Sequence, residues 1–84
     1  MKIVFHKQFK KKFEKLPVKV QNKFFDRLEL FMRDQTHETL NNHSVDKAFL
    51  ECRSINVTGD YRAIFKEKQE AVIFMAIGTH SELY

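Results

Sequence analysis

The chain has no tryptophan, one cysteine, one proline and two glycines among its 84 residues. Cys52 has no second cysteine to pair with, so an internal disulfide scaffold and a multi-cysteine zinc site are both excluded. A lone thiol fits a reducing compartment, and the cytoplasm is the expected location. So little proline and glycine leaves no linker, no low-complexity tract and no internal repeat. No apolar run approaches the roughly 20 residues of a membrane helix. The longest, AVIFMAI at Ala71–Ile77, is strand length. The lysine-rich N-terminus has no apolar stretch behind it, so no signal peptide is expected.

What is there suits one small globular domain over residues 1–84. The apolar share is 43%, and nine phenylalanines supply most of the large core side chains. A net charge of +4 and a pI near 9.3 favour an anionic partner, either nucleic acid or an acidic protein. A core this small also leaves room for a tight partner to supply stability.

Along the chain the hydrophobic period changes once. Met1–Phe5 reads as a first strand. Phe5, Phe9, Phe13 and Leu16 then follow at spacings of four, four and three, one stripe of a helix whose other sides carry Lys7, Lys10, Lys11, Lys12 and Lys15. Those lysines read as a solvated face, with non-specific contact to RNA phosphates as the functional alternative. Pro17 ends that helix and opens the next, since its missing N–H costs nothing in a first turn. The second helix extends to about Asp34, with Val20, Phe24, Leu28 and Phe31 as its buried stripe and Phe25 and Met32 beside it. Gln35–Asn42 is polar, with a helical turn at His37–Leu40. Lys47–Val57 reads as a strand or bent strand pair, Thr58–Asp60 as a turn with Gly59 free to take positive φ, and Tyr61–Lys66 as a strand. Glu67–Glu70 is a charged turn, and Ala71–Thr79 is the most buried strand. The fold expected is α+β: a helical hairpin packed on a mostly antiparallel sheet, in the order β-α-α-β-β-β.

Strand parity sorts the side chains. Ile55, Val57, Ala63 and Phe65 fall on the face the helices cover. Ser54, Asn56 and Arg62 fall together on the opposite face, expected to be concave and open. Arg53 falls at the sheet edge or reaches around it. If the strands neighbour one another, Arg53, Arg62 and His80 approach, and an Arg/His cluster suits either phosphate binding or cleavage of an RNA phosphodiester.

Two stretches carry a more specific signal. One is the ending Gly78-Thr79-His80-x-x-Leu83-Tyr84. The other is NNHSV at Asn41–Val45, placing His43 ten residues before Arg53, followed by D-Y-R at Asp60–Arg62 before an apolar run. With the leading strand and the lysine-rich hairpin, the whole chain resembles the RelE/ParE toxins of type II toxin–antitoxin systems, and most of all the YafQ-type messenger-RNA interferases. The resemblance implies a RelE-like fold, metal-independent RNA cleavage without a cofactor, and a cognate antitoxin, messenger RNA and the ribosome as partners. It places His80 as the C-terminal catalytic histidine, His43 as the loop histidine, Asp60 as the turn aspartate and Tyr84 as the terminal aromatic that stacks on a base. Arg62 matches the phosphate-binding arginine of the RelE branch. Asn56 stands where the YafQ branch carries another histidine. Ser54 and Asn56 stand near lysines of the RelE branch, so the set combines features of both.

Each of these residues also has a structural reading. His80 is an ordinary surface histidine at a strand end, Arg62 an exposed strand cation, Asp60 an Asx-turn residue, and His43 a loop cap through a backbone hydrogen bond. Tyr84 is a packing residue, His6 and His37 sit at helix ends or in solvent, and Cys52 is inert. The functional expectation is a catalytic set of His80, His43, Asp60 and Arg62, with Arg53, Asn56, Ser54 and Tyr84 binding substrate and no metal. His80 would be the general acid, and the base is His43 or Asp60. Two rival readings stand beside it: a topoisomerase-poisoning toxin of the ParE kind, which needs no acid–base pair, and an RNA-binding module whose site has decayed.

Overall fold

The computed structural model describes residues 1–84. Its elements in chain order are β1 (Lys2–Phe5), α1 (Lys7–Phe13), α2 (Val18–Arg33), a 3-10 turn (Glu38–Leu40), β2 (His43–Ser44), β3 (Arg53–Asn56), β4 (Tyr61–Lys68), β5 (Ala71–Thr79) and α3 (His80–Leu83). The strands form one five-stranded sheet in the order β1-β5-β4-β3-β2. The β2–β3–β4–β5 pairs are antiparallel, and β1 joins β5 in parallel. This is the expected α+β architecture, with one short strand and a C-terminal helical turn that the hydrophobic pattern did not show.

The helix ends follow from their local residues. The His6 ring nitrogen Nδ1 accepts the Gln8 N–H at 3.1 Å and caps α1. Pro17 occupies the N-cap position of α2, and Asp34 its C-cap. Gln21 donates to the carbonyls of Phe13 and Leu16 at 3.0 and 3.3 Å, tying the end of α1 to the first turns of α2. His37 caps the 3-10 turn by accepting the Thr39 N–H. His6 and His37 are therefore helix-end residues.

Between the helices and the sheet lies a phenylalanine core. Phe24, Phe31, Phe65 and Phe74 are fully buried. Phe24 and Phe74 meet edge to face at 5.3 Å, and Phe31 and Phe65 at 5.0 Å. Ile55, Val57, Ala63 and Phe65 belong to this core, as parity requires. Val72, Phe74 and Ile77 belong to it too, although Phe74 and Ile77 are three residues apart. The register explains this: Phe65 pairs with Phe74 and Ile64 with Ala76, so Met75 is an extra residue in β5. The bulge returns Ile77 to the helical face.

Four local expectations change. Residues 45–51 form successive turns rather than strand, with Glu51 at φ 62°. Gly59 does not take positive φ; Thr58 closes that turn instead, its hydroxyl accepting the N–H groups of Asp60 and Tyr61 at 3.2 and 3.0 Å. The β4 strand runs two residues beyond Lys66, and Gln69, at φ 56°, makes the turn to β5. The sheet face away from the helices is not open: Val45, Cys52 and Ile64 form a second small core there, with Phe49, Met75, Ala76 and Leu83 packed on it. The turns of 45–51 and the α3 turn together cover its centre.

Candidate active site

Cross-strand pairing places the chemistry on that second face. His43 pairs with Ser54, and Ser54 with Ile64, which pairs with Ala76. Two residues along, Asn56 pairs with Arg62, and Arg62 with Gly78. Directly paired residues share a face. His43 and Arg62 are thus on one face in rows roughly 7 Å apart along the strands. The next pair, Tyr61 with Thr79, ends the ladder, and there the His80 N–H donates to the Asp60 carbonyl at 3.0 Å. That bond sets Asp60 against His80.

His80 opens α3, a turn that folds back over Gly78. A Cβ on Gly78 would meet Glu82 Oε1 at 3.1 Å and the Leu83 side chain at 3.6 Å. Glycine leaves room here for a close approach, and its φ is not positive. The turn is fixed by a capping box: the Glu82 N–H donates to the Thr79 hydroxyl at 3.2 Å, and the Thr79 N–H donates to Glu82 Oε1 at 2.8 Å. Lys12 Nζ donates to the other oxygen, Oε2, at 2.9 Å. Donation from the Thr79 backbone, then from Lys12 and the Thr79 hydroxyl, lowers the Glu82 carboxyl to about 2. His80 is exposed, and its ring lies 4.8 Å from that of Tyr84. Tyr84 in turn meets Phe49 edge on at 6.2 Å. A shallow hollow of about 390 Å³ opens beside Tyr84, bordered by Ser44–Ala48. A more apolar hollow of about 290 Å³, among Phe5, Phe9, Phe13, Phe24 and Phe25, belongs to the helical side and gathers none of these histidines.

The environment of His43 is informative. Its Nδ1 lies 2.7 Å from the Asn41 carbonyl oxygen. A carbonyl only accepts, so Nδ1 carries the proton and the exposed Nε2 keeps a free lone pair in the neutral ring. The loop-cap reading of His43 is therefore correct as geometry, and the same bond presents a basic nitrogen.

The arginines separate. Arg53 pairs with Phe65, which puts it on the helical face, away from Arg62. Its Nε donates to Asn42 Oδ1 at 2.7 Å and its Nη2 to the Asn42 carbonyl at 3.3 Å. The whole Nε–Nη2 fork is used to hold the loop that carries His43, so the expected Arg53–Arg62–His80 cluster and a substrate contact by Arg53 are not supported. Arg62 uses only Nη1, donating to the carbonyls of Thr58, Gly59 and Tyr61 at 3.0, 3.2 and 3.1 Å. Its Nε–Nη2 edge makes no hydrogen bond within the protein and retains the fork that fits a phosphate.

Ser54 is fully buried and its hydroxyl has no partner, so it is out of reach of a substrate, contrary to the expectation for it. The reason is the second small core, which seals the row it occupies. Asn56 is half-buried beside Arg62, with its Oδ1 unpaired. Burial raises the Cys52 thiol, as fits an inert residue. No group of three or more His, Cys, Asp or Glu side chains comes together in a way that would hold a metal. Reasoning from the sequence missed Lys12, Thr79 and Glu82. The signal for two of them was present, since Thr79-His80-Ser81-Glu82 spells a capping box. Nothing local linked Lys12 to residues 70 positions later.

A two-layer α+β domain with histidines and an arginine on the sheet face opposite the helices has the architecture of the RelE-type toxins. The family model described as "bacterial toxin of type II toxin-antitoxin system, YafQ" matches residues 1–84. The chain belongs to this family. Among solved structures it is similar to YafQ from E. coli strain BL21(DE3), with a TM-score of 0.78 and 23% identity over 98% of this chain and 96% of that one. It is also similar to a YoeB/ParE toxin from Agrobacterium tumefaciens, with a TM-score of 0.79 and 13% identity over 95% and 99%. A third is the RelB–RelE antitoxin–toxin complex from Methanococcus jannaschii, with a TM-score of 0.75 and 17% identity over 96% and 94%. At these identities the likeness is one of fold. No curated protein sequence gave a match. No helix is long and apolar enough to cross a membrane.

Proposed function

We propose that this toxin is an endoribonuclease that cleaves messenger RNA, with the ribosome presenting the substrate. The observation that carries the proposal is the His43 ring, whose Nδ1 is bound to the Asn41 carbonyl so that Nε2 is the exposed acceptor, on the same sheet face as Arg62. His43 Nε2 takes the proton from a ribose 2′-OH. The 2′-oxygen then bonds to the adjacent phosphorus, and the bond from phosphorus to the 5′-oxygen breaks. His80 gives its proton to that 5′-oxygen. The products are a 2′,3′-cyclic phosphate and a 5′-OH end. The free edge of Arg62 faces the charge that builds on the phosphoryl oxygens. Asp60 holds the His80 backbone through its carbonyl, and the Tyr84 ring offers a stacking surface beside His80.

The acid, base and cation all come from side chains, so cleavage proceeds in EDTA. The basic charge of +4 suits RNA and suits an acidic antitoxin. An antitoxin–toxin complex is what the RelB–RelE structure contains, and the same kind of partner is proposed for this chain. The test is primer extension on translated messenger RNA after induction. Wild type is expected to cut, and His43→Ala and His80→Ala to leave the message intact. Equal cutting by His80→Ala would remove it as the acid. Growth arrest with intact message would favour a topoisomerase target instead.

A further inference from the structure

The α3 turn has four residues, none of them buried, and helices this short do not persist unaided. It nevertheless carries His80 and stacks that ring on Tyr84. Its supports are few: the His80–Asp60 backbone bond, the Leu83 contact with the second core, and Glu82. Glu82 divides its carboxylate, Oε1 closing the capping box and Oε2 receiving Lys12. Lys12 is the one lysine of α1 in an ion pair. The other three, Lys7, Lys10 and Lys11, and Lys15 just beyond the helix, read as a solvated stripe and are exposed. Lys12 lies in the last turn of α1, whose Phe9 is fixed in the phenylalanine core. A rigid layer is thereby connected to the turn that bears the proposed acid.

We propose that Lys12 and Glu82 are positioning residues for the His80–Tyr84 pair, holding the C-terminal turn in the orientation in which His80 faces the scissile phosphate. The inference rests on the proposed endoribonuclease function for its effect on rate, but not for its effect on ring geometry. The side chains of Lys12 and Glu82 are 40% and 47% exposed, and exposed pairs of this kind contribute little to stability. The consequence of breaking the pair is misorientation rather than unfolding, and small displacements of a reacting group are costly in rate.

The experiment compares Lys12→Met, Lys12→Arg and Glu82→Gln in the full chain. Its three readouts are RNA cleavage rates, melting temperature, and the NMR contact between the His80 and Tyr84 rings. Glu82→Gln keeps Oε1 as acceptor for the Thr79 N–H and replaces Oε2, the acceptor of Lys12, with an uncharged NH2. Lys12→Met and Glu82→Gln are each expected to lower kcat about 10-fold at unchanged KM and to weaken the ring contact. The melting temperature should move by no more than about 4 °C. Lys12→Arg is expected to retain both rate and contact. If Lys12 and Glu82 act instead only through charge on bound RNA, Glu82→Gln removes a repulsive carboxylate and activity rises. A rise, or unchanged kcat with the ring contact intact, overturns the proposal. If wild type cuts no RNA, the endoribonuclease reading fails by itself. The ring contact in Glu82→Gln then still decides whether the pair sets the turn.

Discussion

Against its helices the sheet sets Ile55, Val57, Ala63, Phe65, Val72, Phe74 and Ile77, within a core of 13 buried residues; on its other side only Val45, Cys52 and Ile64 are buried together. The first face is closed by ring-to-ring packing. The second leaves buried polar atoms of Ser54 and Asn56 without partners and gathers His43, Arg62 and the His80 turn at its margins. A protein interior tolerates such orphans at a cost; two of the three occur on the face with the candidate chemistry, and the third, Arg27 Nε, lies on α2. The difference assigns stability to one side of the sheet and presentation of reactive groups to the other.

That division has consequences that can be broken by substitution. Phe74→Ala deletes a fully buried ring that meets Phe24 and Phe65 at 5.3 and 5.7 Å. A loss of about 3–5 kcal/mol is expected, read by urea denaturation. This is a large part of the roughly 5–15 kcal/mol that holds a domain folded. His80→Ala on the other side is expected to shift stability by no more than about 0.5 kcal/mol while lowering cleavage about 100-fold or more. If both substitutions unfold the protein, or if neither affects cleavage, the two faces are not divided in this way.

A finer test concerns the buried hydroxyl. Ser54 sits between the two faces' demands: its position belongs to the second face, and its burial is complete. Removing a buried hydroxyl that has no partner relieves a desolvation penalty. Ser54→Ala is expected to be neutral or to stabilise by up to about 1 kcal/mol, with cleavage unchanged. A loss of cleavage with stability retained would show that substrate reaches Ser54 after all.

The helical layer was legible because period and burial agree there. Phe9, Leu16, Val20, Phe24 and Phe31 fall at helical spacing, and all are buried. Pro17 opens α2 as its chemistry predicts, and the helix ends at Asp34, where the helical period stops. The sheet was legible by parity up to Phe65. Beyond it the extra residue Met75 shifts the alternation, which no local residue announces. On the second face the sequence named His43, Arg62 and His80 but misplaced Arg53 and Ser54. The two errors differ in source. Alternation sets Arg53 with Ile55 and Val57 on the helical side, where its pairing with Phe65 puts it, so the edge placement departs from parity. For Ser54, alternation says which face a side chain takes and not what covers that face. The turns of 45–51 seal Ser54, and on the helical side Arg53 is occupied by Asn42.

The smallest expected effect is the one with the clearest sign. The Glu82 carboxyl lies at about 2 when folded against the usual 4.5, so its charged form is favoured by the native state. As pH falls, the unfolded chain takes up this proton first. The contribution of Glu82 is therefore complete above the usual carboxylate range and is lost only as pH falls from 4.5 toward about 2. Between pH 9 and pH 6, roughly the range of an RNA cleavage assay, this group should cause no change in stability and no change in the Lys12 contact. Carboxyl NMR of Glu82 should give a midpoint near 2 in wild type. In Lys12→Met the midpoint should return only part of the way to 4.5, because the Thr79 backbone N–H is the larger cause and remains. A full return to 4.5 would mean that Lys12, not the capping box, keeps the carboxylate charged. The helical layer would then hold the turn almost alone, and the two faces would be coupled through a single exposed ion pair.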